Sequence, residues 1–315
     1  MRPVLSFLAV LPFATGSAFG WGCEGHQMIA LIARAHLTPA VSSAVDRLLR
    51  ENPIDPALKR FCKDRPDDLM ADAATWADDA RNIEKTADWH FIDIPLAIKG
   101  DPTDEKEAMK WCKASPEGNP GCIVSAIDQE WAILRDQSEP APLRAKALRY
   151  LIHFVGDLSQ PLHATDNHDR GGNCTEIGFF SNEKNAKPEN LHSIWDSKIL
   201  GRDLEATKAT QPQYARILDR DFTRAQSKVD VLAWTWDSHR LGAAVTYGDL
   251  KPPIPVVPAA LGTADEAGCT EQRAAVAALH ISIDEEYVSH ALPVIREQLA
   301  KAGYRLAGLL NQTFQ

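Results

Sequence analysis

Apolar residues recur at helical spacing along most of this chain, and two of its helical stretches each carry a histidine and an aspartate one turn apart. Ile123, Ile127, Trp131 and Leu134 share one helical face, as do Leu143, Ala147, Leu151, Phe154 and Leu158. Sustained period-two alternation is scarce, so the expected fold is all-α. In LIHFVGDLSQPLH, His153 and Asp157 stand at i,i+4 among Leu151, Phe154 and Val155, and Pro161 then turns the chain so that His163 comes back toward them. NLHSIWD repeats the spacing with His192 and Asp196 beside Ile194 and Trp195. An imidazole and a carboxylate one turn apart in apolar surroundings suit a zinc ion better than they suit water.

Three further elements can be placed. Pro66 opens a predicted helix running to about Arg81, with Asp67 and Asp68 at the positive end of its dipole. The segment from Asp249 to Gly262 holds four prolines without a shift in composition on either side, which predicts a surface loop within one domain. The last helical stretch, from about His280 to Leu310, is expected to bend or break at Pro293.

The first twenty residues differ from the rest: Arg2 is their only charge, Val4 to Phe13 is a short apolar run, and Ala18 and Gly20 are small. This pattern reads as a secretory signal peptide cut between Gly20 and Trp21, leaving residues 21–315 as a single domain, secreted or periplasmic. The apolar run is too short to span a bilayer, and no stable membrane association is expected. With 44% hydrophobic residues in 315, disorder is excluded, and a formal charge of −9 argues against gripping duplex DNA through a broad basic face. The even cysteine count in an exported chain predicts three disulfides among fifteen possible pairings. Cys112 and Cys122 bracket a turn-rich stretch with Pro116, Gly118, Asn119, Pro120 and Gly121, which suggests a local bridge; Cys23–Cys62 and Cys174–Cys269 are the pairing chosen for the others.

Three more groups carry chemistry. WGCEGH would place Trp21 at the mature amino terminus with His26 five residues on, and a free α-amino group with its own carbonyl can chelate a metal. In TWADDAR, Asp78 and Arg81 share a helix face, while Asp79 points about 100° away from Asp78, so only one of the two aspartates can face a site with Arg81. WHFID adds His90 between Trp89 and Phe91. Each group alone fits a structural role, a core aromatic or a surface ion pair; together they point to a polynuclear metal site. His168 is read as solvated, and His36, His239, His280 and His290 as structural.

These motifs, in this order from Trp21 to Asp196, resemble those of the zinc-dependent, single-strand-specific nucleases of fungi, plants and bacteria. The resemblance implies a single compact helical domain with a three-zinc cluster at the base of a cleft. Carried over residue by residue, it has Asp78, His90, His153 and Asp157 hold one zinc, with Asp157 shared with a second bound by His26 and by the amino and carbonyl groups of Trp21. His163, His192 and Asp196 hold the third. It further implies hydrolysis of single-stranded DNA and RNA to 5′-phosphate ends, with 3′-nucleotidase action, by zinc-activated water. Asp157 and Arg81 are then catalytic, Arg81 stabilising charge on the phosphate. Phe91 and Asp93 are placed at a base by stacking and hydrogen bonding, with Gly171, Gly172 and Asn173 in a loop beside the site. The alternatives are a zinc phospholipase C, whose pattern has Glu in the place of Asp196, and a non-catalytic extracellular zinc-binding protein. A monomer is expected. Asn173 and Asn311 match glycosylation acceptor motifs.

Overall fold

The computed structural model describes residues 21–63, 67–99, 105–112, 120–180, 189–222 and 228–314. The expected signal peptide, the expected helix start at Pro66, and Pro116, Gly118 and Asn119 lie outside the described residues. The helices are α1 (Cys23–Ala35), α2 (Pro39–Glu51), α3 (Leu69–Ala73), α4 (Trp76–Glu84), α5 (Glu105–Met109), α6 (Ile123–Arg135), α7 (Ala141–Asp157), α8 (Leu191–Ser193), α9 (Ile199–Thr207), α10 (Gln211–Asp221), α11 (Val231–Leu241), α12 (Glu266–Ala277) and α13 (Glu285–Thr313). The all-α expectation describes this architecture, with one small addition. β1 (Glu176–Phe179) pairs antiparallel with β2 (Glu189–Asn190) and parallel with β3 (Ser282–Ile283), strands too short to show an alternating pattern.

Helix α7 is the axis. Every residue from Ala147 to Asp157 is buried, because α6, α1, α13, α3, α4 and α2 all pack around it. Its second half, from Ala147 on, lies in the interior and takes His153 and Asp157 there with it. Helix α1 lies along α13 and against α7, which carries His26 to the same depth. Local signals fix the helix starts. Thr38 Oγ1 accepts the Val41 amide at 3.3 Å ahead of Pro39, Asp68 Oδ1 accepts that of Ala71 at 2.9 Å, and Asp284 Oδ1 accepts those of Glu286 and Tyr287.

Two expectations need correction. The stretch expected as one helix to Arg81 is two, α3 and α4, parted at Ala74 and Thr75. The break turns the Ala74 carbonyl onto His153 Nδ1, 2.7 Å away. At the other end of the chain α13 runs unbroken through Pro293 and starts at Glu285, after His280 at φ 50°. Pro293 and Ser289 are both exposed, so the Ser289 carbonyl left without an amide partner meets water. The proline-rich segment is a loop as expected, tied down where Asn167 bonds Pro255 O at 3.0 Å and the Val257 amide at 2.9 Å.

Disulfides join Cys23 to Cys62, Cys112 to Cys122 and Cys174 to Cys269. They tie α1 to the loop before α3, the α5 end to the start of α6, and α12 to the turn before β1. Among the described residues no helix is long and apolar enough to cross a membrane. Because α7 has neighbours on every side, Leu151→Ala leaves a cavity that cannot collapse, and a loss of about 2–5 kcal/mol is expected in chemical denaturation.

Candidate metal centre and cleft

Asp157, at the last position of α7, has no exposed surface. Its Oδ2 lies 2.9 Å from His90 Nδ1 and 3.0 Å from His153 Nε2, while Oδ1 lies 3.2 Å from His26 Nε2 and 3.9 Å from His163 Nδ1. Asp78 Oδ1, from α4, stands 3.7 Å from both His90 Nδ1 and His153 Nε2. A second cluster follows along the floor, where His163 Nε2 is 3.1 Å from His192 Nε2 and His192 Nε2 is 3.3 Å from Asp196 Oδ2. Three groups have the spacing to hold a metal ion: His26 with Asp78 and His153; His90 with His153 and Asp157; and His163 with His192 and Asp196.

The hydrogen bonds of the rings say what those groups need. His153, His163 and His192 each donate Nδ1–H to a main-chain carbonyl, of Ala74 (2.7 Å), His90 (2.6 Å) and Gly171 (2.6 Å). That fixes the tautomer and leaves Nε2 as a bare lone pair. The Nε2 atoms of His163 and His192 therefore face each other across 3.1 Å lone pair to lone pair, which is repulsive unless positive charge lies between them. His90 Nε2, both nitrogens of His26, Asp78 Oδ1 and Asp157 Oδ1 are buried without a hydrogen-bond partner. Unpaired buried groups of this kind are costly, and a cation satisfies them together.

The proton affinities agree. Burial lowers the basicity of His153, yet the carboxylates of Asp157 and Asp78 raise it to about 9, so a positive charge is demanded at that Nε2. Burial pushes His163 down to about 3 against the pull of Asp157, keeping the neutral imidazole that binds metals. Burial likewise lowers His26 and holds the Asp196 carboxyl well above its usual range, the sign of an anion site lacking its counter-charge. The donor set of imidazoles and carboxylates fits zinc.

The remaining expected residues fall as follows. Asp78 faces the cluster together with Arg81, whose Nη1 is 3.9 Å from its Oδ1, while Asp79 turns away to bond Arg60 Nε and the Phe61 amide, both at 2.6 Å. Trp21 is buried, and the next residue, Gly22, donates its amide to Asp196 O at 2.9 Å, so the start of the described chain lies against the His192–Asp196 segment. A cleft of about 1300 Å³ opens above, lined by Arg81, His90, Phe91, Asp93, His163, Asn173 and His192 among others. Phe91 is half-buried on its wall, and Asp93 Oδ2 accepts the Thr263 hydroxyl at 2.6 Å. One reading changes: His168 is half-buried rather than solvated, bonded to Gly262 O at 2.7 Å. Asn173 lines the cleft, and the side-chain amides of Asn173 and Asn311 each donate one hydrogen bond, to Arg170 O and His36 O.

Several supporting residues carried no sequence signal that was read. Gln160 donates to Asp196 Oδ1 at 2.6 Å and accepts the Leu162 amide at 2.5 Å, orienting one carboxylate. Asp196 itself sits in a π-turn (Ile194–Lys198) between α8 and α9 rather than in a regular helix, a local widening common at functional sites. The turn from Asp166 to Thr175 is built on two buried aspartates. Asp166 Oδ1 accepts the amides of Asp169 and Gly171, and Asp169 accepts those of Asn167 and Gly172 and the hydroxyls of Thr175 and Tyr247. Gly171, at φ 58° and with no room for a Cβ beside Leu162 O, is what lets this turn aim its carbonyl at His192.

Gly156, inside α7, lets α1 bring the His26 imidazole against the axis. A Cβ there would lie 2.9 Å from His26 Nδ1, and His26 stacks on His153 with ring centroids 4.0 Å apart. Gly156→Ala is therefore expected to displace His26 and lower the metal bound per chain in elemental analysis. Gly201→Ala, where a Cβ meets nothing within 4 Å, should leave the content unchanged.

Comparison with known proteins matches the whole described chain. The family described as S1/P1 Nuclease matches residues 21–315. Endonuclease 2 of Arabidopsis thaliana is 27% identical over 312 residues, 96% of this chain and 94% of that protein. Nuclease P1 of Penicillium citrinum is 26% identical over 305 residues, 93% of this chain and 97% of that protein. Nuclease S1 of Aspergillus oryzae is 27% identical over 305 residues, 93% of this chain and 91% of that protein. With a match that begins at Trp21 and runs past every clustered histidine and aspartate, the chain belongs to the S1/P1 nuclease family.

Proposed function

We propose that this chain is an exported zinc-dependent nuclease that hydrolyses phosphodiester bonds of single-stranded DNA and RNA to 5′-phosphate ends and also removes 3′-phosphates from nucleotides. Residues 21–315 form its one domain, freed by cleavage after Gly20, and it works as a monomer outside the cytoplasm. The observation that carries this is the set of buried imidazole lone pairs turned toward one another around Asp157, at the floor of a cleft, in a chain of the S1/P1 nuclease family.

Three zinc ions would be held here: one by Asp78, His90, His153 and Asp157, one by Asp157, His26 and the terminal amino and carbonyl groups of Trp21, and one by His163, His192 and Asp196. The first two sets follow the family resemblance, whereas by spacing alone His26 groups with Asp78 and His153. Bound zinc would supply Lewis acidity, polarising the phosphodiester and lowering the pKa of water to about 7. The protein does the rest. Asp157 offers an oxygen to each side of the cluster and so fixes its spacing. Arg81, beside Asp78, meets the charge that grows on the equatorial phosphate oxygens. Gln160 holds Asp196 in place. Phe91 takes a base by stacking and Asp93 by hydrogen bonding, contacts open only to bases that are not paired in a stiff duplex. Gly171 and Asn173 line the wall beside them, with Gly172 buried behind.

The deciding experiment incubates the secreted protein with single-stranded DNA, RNA and phosphatidylcholine and measures zinc in the same preparation. Cleavage to 5′-phosphates with about three zincs per chain is expected; lipid turnover without nucleic-acid cleavage would overturn the reading. Asp157→Asn should remove more than one zinc and abolish activity, and a variant that keeps all three sinks the bridging role. A preparation carrying extra residues before Trp21 should lose one zinc and most activity, since an amide nitrogen within a chain is a poor ligand. Full activity in it would refute the terminal site.

A further inference from the structure

Helix α12 faces the cleft more than the core. Of its residues only Cys269 and Val276 are buried, whereas Glu266, Cys269, Thr270 and Arg273, spaced to share one helical face, line the cleft above the metal centre. The Cys174–Cys269 disulfide pins that face to the glycine turn. Two guanidinium groups stand on this wall. Arg170 Nη1 lies 3.2 Å from Glu266 Oε2 while its Nε donates to Ala264 O at 3.0 Å, and Arg273 Nε lies 3.0 Å from Glu176 Oε1.

Both ion pairs are open to water: the side chains of Arg170, Glu266, Arg273 and Glu176 are 42%, 77%, 40% and 38% exposed. Pairs so exposed contribute little to stability. A phosphate, which a guanidinium grips through two parallel hydrogen bonds, competes well for such an arginine. Arg170 also holds φ 56°, a left-handed conformation that disfavours any residue but glycine. The buried Asp166 and Asp169 enforce it, and it leaves the guanidinium at the cleft.

We propose that Arg170 and Arg273 bind backbone phosphates of the nucleotides flanking the cleaved one, so that a polynucleotide is a better substrate than a mononucleotide. The proposal rests on the nuclease reading above and deepens it. The metal groups and Arg81 suffice for a single phosphate. Two further cations on a separate wall serve only a substrate that carries several phosphates in a row.

The test compares the wild type with Arg170→Gln, Arg273→Gln and the double variant on a short single-stranded DNA and on a 3′-nucleotide, across a salt series. For the double variant KM for the DNA is expected to rise about tenfold with kcat unchanged, and the dependence of log affinity on log salt to flatten by about 0.7 per arginine. Hydrolysis of the 3′-nucleotide should not change. A loss on both substrates alike, or on neither, overturns the proposal. Binding of a phosphorothioate analogue of the same DNA is measured in parallel. If the wild type cleaves nothing yet binds the analogue through the arginines, the nuclease reading fails and the phosphate wall stands; binding indifferent to both arginines removes the wall alone.

Discussion

A carboxylate with no exposed surface needs positive charge beside it, and the architecture around Asp157 follows from that need. In a low-dielectric interior an unpaired anion costs several kcal/mol. Here imidazoles approach both oxygens from α1, the His90 turn, α7 and the His163 turn. His153, which burial lowers but the two carboxylates raise to about 9, can meet part of that need with a proton, but His26 and His163 are kept neutral by burial and present lone pairs. The fold therefore brings together a cluster whose buried donors and acceptors a cation would satisfy together, and any metal it bound would add to folding stability.

Three of the rings, those of His153, His163 and His192, are aimed by backbone carbonyls. Each of the carbonyls of Ala74, His90 and Gly171 stands where a regular element ends: the α3–α4 break, the end of the Ala87–His90 turn, and the left-handed glycine turn. A carbonyl inside a helix is committed to an amide four residues on. Interrupting the helix frees it for an imidazole. The breaks in this mostly helical chain are thus part of the site, and the packed elements around α7 hold them in place.

How much of this could be read beforehand depends on whether the signal was local. The helical class and the burial of His153 and Asp157 follow from apolar spacing, because Leu151, Ile152, Phe154 and Val155 surround His153 in the second half of α7. The divergence of Asp78 and Asp79 follows from helix geometry alone. The grouping of motifs spread over some 175 residues came only through resemblance to a family. The α3–α4 break, the π-turn at Asp196 and the continuation of α13 past Pro293 were not legible, since each is decided by a distant partner or by exposure. His168 was misread for the same reason: its partner, Gly262 O, lies 94 residues away. Gln160 and Gly156 look unremarkable in sequence because their importance is a contact with Asp196 and with His26.

The overall charge of −9 is no obstacle to a polyanionic substrate. Screening in physiological salt confines exposed charges to about 8 Å, so a strand in the cleft responds to its walls and floor and hardly to the far surface. The floor asks for cations, and the wall of α12 pairs each arginine with a glutamate that water already loosens. Exchange of carboxylate for phosphate there keeps the count of ion pairs constant while it orders the strand. An acidic protein can hold a nucleic acid in this way without the broad basic face that would bind duplexes along their whole length.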